Sequence, residues 1–171
     1  FAQTGVLYDG QAGIVTGESD LSLVGTQPVQ VTIANKVVYE IHDYPSTIGG
    51  ESADSGDIVD QARTQAWGYL VAQNIAPIWV GEMGGSLDGV GPDSQGAKLQ
   101  DEQAWANQLV AYLNGNSQSQ GAPHFTGSQR GISSDWWAWG NLSGEEPDGT
   151  LNPDGVTLNP DQYAIYSQLQ K

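Results

Sequence analysis

Three short apolar runs, each followed by a loop and then by a stretch of helical periodicity, constrain this chain more than any other feature of it. The pattern predicts strands at about 37–42, 78–82 and 132–139, alternating with helices at 57–74, 97–113 and 160–169. Strand, loop and helix repeated in that order argue for βα units and a parallel sheet. If residues 1–6 also form a strand, four such units stand in a row. The individual assignments rest on residue type. Val37 to Ile41 is rich in the β-branched and aromatic side chains that suit a pleated surface. Trp105, Leu109 and Tyr112-Leu113 recur at helical spacing, which makes Trp105 a core residue, and Asn114-Gly115 ends that helix. Asp57 is the expected N-cap of the first helix. Its apolar stripe is expected to pass through Ile58, Ala62, Trp67 and Leu70 to Val71. Asn159 followed by Pro160 opens the last helix.

In parallel α/β folds, sites gather at the C-terminal ends of strands, and the polar residues of this chain cluster there. The run Ile78-Trp79-Val80 climbs to Gly81 and presents one carboxylate, Glu82, before Met83, Gly84 and Gly85. A buried strand that ends in a single acid followed by glycines holds a carboxylate rigidly at the mouth of a site. The bland alternative is a solvated loop glutamate. Alternation along the strand that starts at Val37 places Val38, Glu40, His42 and Tyr44 on one face and Val37, Tyr39 and Ile41 on the other. The first face becomes polar toward its end, as a strand rising into a site does; a half-exposed strand with His42 and Tyr44 solvated would read the same way. On a barrel strand Glu40 points inward, and a buried carboxylate needs a partner, expected as a cation or several donors from the half of the barrel that this chain does not supply.

The chain has 171 residues, which suits one domain spanning 1–171. Its 20 acidic and 5 basic residues give a net charge of -15, which argues against a nucleic-acid partner and against an anionic membrane surface. The acid excess favours solubility and hints at a secreted or acid-tolerant protein. There is no cysteine, hence no thiolate metal site. The two histidines, His42 and His124, are too far apart for a two-histidine metal helix, so no metal and no cofactor is called for. No apolar run approaches the roughly 20 residues that span a bilayer, no signal-peptide pattern is present, and the opening Phe1-Ala2-Gln3-Thr4-Gly5 does not resemble a natural start. The 23 glycines and six tryptophans suit a surface for flat, polar ligands such as sugars. Four βα units do not close an eight-stranded barrel, which takes about 250 residues. The chain is therefore expected to be the C-terminal half of something larger.

Three blocks then stand out together. They read V-V-Y-E-I-H-D-Y-P at 37–45, P-I-W-V-G-E-M-G at 77–84 and W-W-A-W-G-N-L-S-G at 136–144. In this order and at these intervals they resemble glycoside hydrolase family 5, the cellulase branch, over most of the chain. The resemblance implies an α/β fold, the (β/α)8 TIM barrel, that cleaves β-linked polysaccharides with retention, this chain supplying about strands five to eight with their helices. It implies that Glu82 is the nucleophile, matching the family's G-E-F-G motif at the end of strand seven with Met83 in place of Phe. His42 and Tyr44 match the H-x-Y pair at the end of strand six; the tyrosine lies beside the nucleophile and the histidine lines the cleavage subsite. Trp137 matches the strand-eight tryptophan under the sugar ring.

The departures from the family pattern are informative. The acid/base glutamate of the family sits in an N-E-P motif after strand four, and this chain has none. Glu145-Glu146-Pro147 falls after strand eight and is not assigned that role. The family's arginine and first site histidine are also missing, only Ser143 and Gly144 of the usual strand-eight loop align well, and residues 6–25 contain no Trp for leaving-group sugars. The acid/base group is thus expected from an N-terminal half-barrel polypeptide, separate or nicked, and the isolated chain is expected to be inactive. The function implied is a secreted endo-β-1,4-glucanase (a cellulase) whose partner is a β-glucan polysaccharide or oligosaccharide. A β-mannanase or other β-glycanase on the same barrel, and a non-catalytic carbohydrate-binding half barrel, are the alternatives.

Overall fold

A computed structural model describes residues 2–3, 19–49, 55–89, 95–140 and 149–169. Four strands, β1 (Ala2–Gln3), β2 (Tyr39–Asp43), β3 (Ile78–Met83) and β4 (Ser133–Trp136), form one sheet in the order β1-β2-β3-β4. Every neighbouring pair is parallel. Strands that follow one another in space as in sequence, with helices between them, are what repeated βα units produce.

Strand lengths are shorter than residue type suggests. β2 begins at Tyr39 rather than Val37, in register with Ile78 of β3. Pro77 precedes that register point and has no N–H to extend the ladder downward; its carbonyl instead accepts from the Tyr39 N–H at 3.1 Å. β4 ends at Trp136 rather than 139. Beyond it the chain turns toward the segment that returns after the strand, where the N–H groups of Thr150 and Leu151 donate to the carbonyls of Ala138 and Trp139.

The helices pack on one face of the sheet. After β2 come a short helical turn, α1 (Ser46–Gly49), inside what the sequence marks as loop, and α2 (Asp57–Arg63). α2 continues through a π-helical turn, Thr64–Gly68, into α3 (Tyr69–Ala72). The N-cap is Gly56, not Asp57, which lies in the first turn; there its charge faces the positive end of the helix dipole. The buried positions run Val59, Arg63, Trp67 and Leu70, while Ile58 is 56% exposed. The wide turn carries an extra residue, so the stripe drifts from the one a regular helix would show. α4 (Ala97–Leu113) keeps its expected bounds, with Trp105, Leu109, Tyr112 and Leu113 all buried. α5 (Pro160–Tyr166) is capped by Asn159, whose side-chain oxygen accepts from the N–H groups of Asp161 and Gln162, and a 3-10 turn, Ser167–Leu169, follows it.

The core lies between sheet and helices. Tyr39 and Ile41 of β2 and Ile78, Val80 and Met83 of β3 meet Trp67, Leu70, Trp105, Leu109 and Leu113. The intervening strand residues Glu40, His42, Trp79 and Gly81 are half-buried and face the other way. The sheet therefore has a dry outer face under the helices and a polar inner face, as barrel strands do.

Candidate active site

The site forms where β2 and β3 end, and a single irregularity in β3 makes it. From Ile78 and Val80, strict alternation would send Glu82 outward into the helix layer. The observed register is Ile41↔Val80 followed by His42↔Glu82, so Gly81 is an extra residue. The pairing with β4 has the same offset, Val80↔Ser134 and then Met83↔Trp136. A bulge of this kind re-aims the next side chain. It turns Glu82 onto the inner face, directly opposite His42.

Three of the residues singled out in the sequence converge there. The Tyr44 hydroxyl donates to Glu82 Oε2 at 3.0 Å. His42 Nδ1 lies 3.4 Å from the same oxygen. The other imidazole nitrogen, Nε2, lies 3.6 Å from Glu40 Oε1. Glu40 does not face open solvent, since its side chain is 20% exposed; among the described residues its ion-pair partner is His42. The carboxylate of Glu40 lies across Gly81, where a Cβ would stand 2.1 Å from Glu40 Oε1.

Trp137, just beyond the end of β4, joins the group. Its N–H donates to the Met83 carbonyl at 2.8 Å, and its own carbonyl sits 2.3 Å from where a Cβ on Gly84 would be, with Tyr44 Cε1 3.7 Å from that point. Gly84 is thus the residue that lets the end of β4 close on the end of β3. The Trp137 peptide to Ala138 is cis. Trp137 is 49% exposed and Trp139 is 68% exposed, so both present aromatic surface.

Beneath the site lies a buried ionic network that residue-type reading passed over. Asp43, between His42 and Tyr44, faces the helices and is 1% exposed. It accepts from Arg63 Nε at 2.9 Å, from Arg63 Nη2 at 3.0 Å and from Trp105 Nε1 at 2.8 Å. Arg63 also donates to Asp60 at 3.1 Å, and the Ser117 hydroxyl donates to the other Asp60 oxygen. Burial alone would disfavour the guanidinium charge; Asp43 first and Asp60 second outweigh it and hold Arg63 above its ordinary value. The signal was present in the alternation of β2, which puts Asp43 on the same apolar face as Tyr39 and Ile41, where an acid requires partners. A second buried carboxylate, Glu102 of α4, accepts from the Thr47 hydroxyl at 2.7 Å and from the Ser86 N–H. It ties the loops after β2 and β3 together.

The Glu145-Glu146-Pro147 stretch, Ser143, Gly144 and most of residues 6–25 lie outside the described residues. Among the described residues, no group of three or more histidine, aspartate or glutamate side chains is arranged to hold a metal ion. A cavity of about 730 Å³, lined by Val29, Val31, Tyr39, Ile75 and Pro77 among others, opens at the opposite, N-terminal end of the strands. In barrels of this type that end serves stability rather than chemistry.

Comparison with known proteins bears on the family and the fold. Residues 10–143 match the model of the cellulase family, glycosyl hydrolase family 5. An endoglucanase from Paenibacillus polymyxa is 28% identical over 157 residues, covering 89% of this chain and 34% of that protein. An endocellulase from Pyrococcus horikoshii, solved as a variant with cellotetraose, superposes with a TM-score of 0.70 at 21% identity, covering 90% of this chain and 36% of that one. The catalytic domain of the major endoglucanase from Xanthomonas campestris pv. campestris gives a TM-score of 0.65 at 18% identity, covering 89% and 38%. The chain thus spans about a third of the length of these relatives, and the solved structures share its TIM-barrel fold. On the strength of the family match, which takes in most of its length, the chain belongs to the cellulase family, glycosyl hydrolase family 5.

Proposed function

We propose that the protein containing this chain is a retaining glycoside hydrolase that cleaves β-1,4-glucan internally, with Glu82 as its nucleophile. The observation that carries this reading is the convergence of the Tyr44 hydroxyl, at 3.0 Å, and His42 Nδ1, at 3.4 Å, on one oxygen of Glu82 at the C-terminal end of a parallel strand. A carboxylate nucleophile attacks through an oxygen that is not already engaged. With Oε2 engaged by Tyr44 and His42, Oε1 is the oxygen that attacks the anomeric carbon. The glycosidic C–O bond breaks as a carboxylic acid protonates the leaving oxygen. That acid then acts as base for the water that releases the glycosyl-enzyme.

The acid/base carboxyl is assigned to the rest of the protein. The family places it in an N-E-P motif, which this chain lacks. The chain supplies about strands five to eight of the barrel, and an N-terminal half supplies the others. By itself the chain is inactive, because leaving-group protonation is worth roughly 10²–10⁴-fold. The exposed rings of Trp137 and Trp139 offer flat apolar faces to the C–H groups of a glucosyl ring. A polymeric glucan does not enter cells, so the protein is assigned to the secreted class.

The test is Glu82→Gln in the assembled protein, with a soluble β-1,4-glucan as substrate. Turnover should vanish while oligosaccharide binding persists, and incubation of the wild type with a 2-deoxy-2-fluoro glucoside should leave a covalent glycosyl adduct on Glu82, located by peptide mass spectrometry. Retained turnover, or an adduct on another carboxylate, removes the assignment.

A further inference from the structure

Tyr44 lies one residue past the point where the sheet stops fixing it. The ladder between β2 and β3 ends at Asp43↔Met83. Backbone pairing therefore sets His42 against Glu82, but the phenol that reaches Glu82 is placed by the chain beyond the ladder. The segments that follow Tyr44 and Glu82 both meet one side chain, Glu102 of α4, which is 2% exposed. Its Oε1 accepts from the hydroxyl of Thr47, in α1, at 2.7 Å, and its Oε2 accepts from the Ser86 N–H. One carboxyl group thus holds a point three residues past Tyr44 and a point four residues past Glu82.

The second point is gripped from both sides. The Ser86 N–H and the Gly85 carbonyl belong to the same peptide unit, and that carbonyl accepts from Nε2 of Gln162, a fully buried residue of α5, at 2.8 Å. Asn159, which caps α5, donates to Asp88 Oδ2 at 2.7 Å. Gly85 fits here because it lacks a side chain: a Cβ would stand 3.0 Å from Glu102 Oε2, 3.2 Å from the Trp105 ring and 3.4 Å from Pro45 Cγ. Pro45 follows Tyr44 directly, so the two segments lie side by side. Reacting groups keep a productive geometry when the residues behind them are locked by packing and hydrogen bonds.

We propose that Glu102 is a positioning residue: by tying the segments after β2 and β3 to one side chain, it sets the Tyr44 hydroxyl on Glu82. The proposal rests on the reading of Glu82 as the nucleophile. Satisfying buried donors would also serve stability alone, and the two roles differ in one respect. A tie that only stabilises affects turnover independently of Tyr44. A tie that acts through the phenol has nothing to act on once the hydroxyl is gone.

The experiment measures kcat and KM of the assembled protein on a soluble β-1,4-glucan. Glu102→Leu keeps most of the side-chain volume and removes both acceptor oxygens; Thr47→Val removes only the bond on the Tyr44 side. Each is made alone and together with Tyr44→Phe. Glu102→Leu should lower kcat by about tenfold with KM little changed. Thr47→Val should lower it in the same direction by a smaller factor, and neither should lower it further in the Tyr44→Phe background. Wild-type kcat in folded Glu102→Leu overturns the proposal, as does a loss confined to KM or an equal loss with and without the Tyr44 hydroxyl. If Glu102→Leu does not fold, the Thr47→Val cycle decides, and wild-type kcat or equal losses in the two backgrounds are then the refuting results. Retained turnover in Glu82→Gln removes the nucleophile assignment, whereas the comparison of the two Tyr44 backgrounds still shows whether Glu102 acts through the phenol.

Discussion

Replacing Asp43 by Asn tests whether the buried network beneath the site holds it in shape. Asp43 accepts three donors, two from Arg63 and one from Trp105. An asparagine that keeps its carbonyl at the Oδ1 position retains the bonds from Trp105 Nε1 and Arg63 Nη2. Its amide then faces Arg63 Nε–H, donor against donor, where a 2.9 Å bond stood. One charge-assisted hydrogen bond is lost, worth about 1.5–3 kcal/mol, and the guanidinium keeps Asp60 as its only remaining carboxylate. Breaking a buried pair from one side costs about 3–5 kcal/mol. Asp60 stays bonded at 3.1 Å, so the expected loss is about 3 kcal/mol, the lower end of that range. That is a large part of the 5–15 kcal/mol typical of a domain. Urea unfolding of the assembled protein should show a lower midpoint at unchanged slope. Because His42 and Tyr44 flank Asp43 directly, kcat should drop as well under conditions where the variant is fully folded. Adding Arg63→Met on that background should cost less than the sum of the single changes, since each alone strands a buried polar partner. A midpoint shift worth less than about 1 kcal/mol, or strict additivity, refutes the account of Asp43 as a desolvated anchor.

Two further outcomes follow from the geometry. Gly84→Ala places a methyl 2.3 Å from the Trp137 carbonyl, so β4 must move away from β3; kcat/KM on cello-oligosaccharides should fall by about tenfold or more as the platform shifts, and wild-type kinetics would show that the close approach is dispensable. Burial, opposed in part by the hydrogen bond with Thr64, pushes the Tyr112 hydroxyl above its ordinary value of 10.0. Above pH 10 the unfolded chain releases a proton that the folded chain keeps, so stability falls with rising pH by up to about 1.4 kcal/mol per unit. Tyr112→Phe should flatten that alkaline limb in urea titrations, and an unchanged limb would locate its cause elsewhere.

Much of this was legible from residue types. Tyr39 and Ile41 lie on the dry face of β2, and Glu40, His42 and Tyr44 on the other, as period-two alternation requires. α4 was readable because Trp105, Leu109 and Tyr112 repeat at helical spacing over a long, uninterrupted segment. The stripe of the preceding helix was not, because the π-helical turn at Thr64–Gly68 shifts the buried face by one residue, and nothing in local propensity marks such a turn. Asp43 sits between two residues of the H-D-Y sequence that carry the functional signal, and only its own place in the alternation, on the apolar face, marks it as needing a buried partner.

The least legible feature decides the most. Alternation in Ile78-Trp79-Val80 predicts an outward Glu82, and only the extra residue at Gly81 reverses it. A glycine inside a strand pattern is a recognised sign of a bulge or of close backbone approach, and here it is both. The bulge turns Glu82 onto the inner face, and the missing side chain leaves the room that Glu40 occupies. A single methyl added at Gly81 would run into the Glu40 carboxylate and displace it from His42 without replacing any titratable residue. The chemistry-bearing residues of this site are therefore written in the sequence as acids, an imidazole, a phenol and an indole, whereas their mutual geometry is written in two glycines, Gly81 and Gly84, whose role is to be empty.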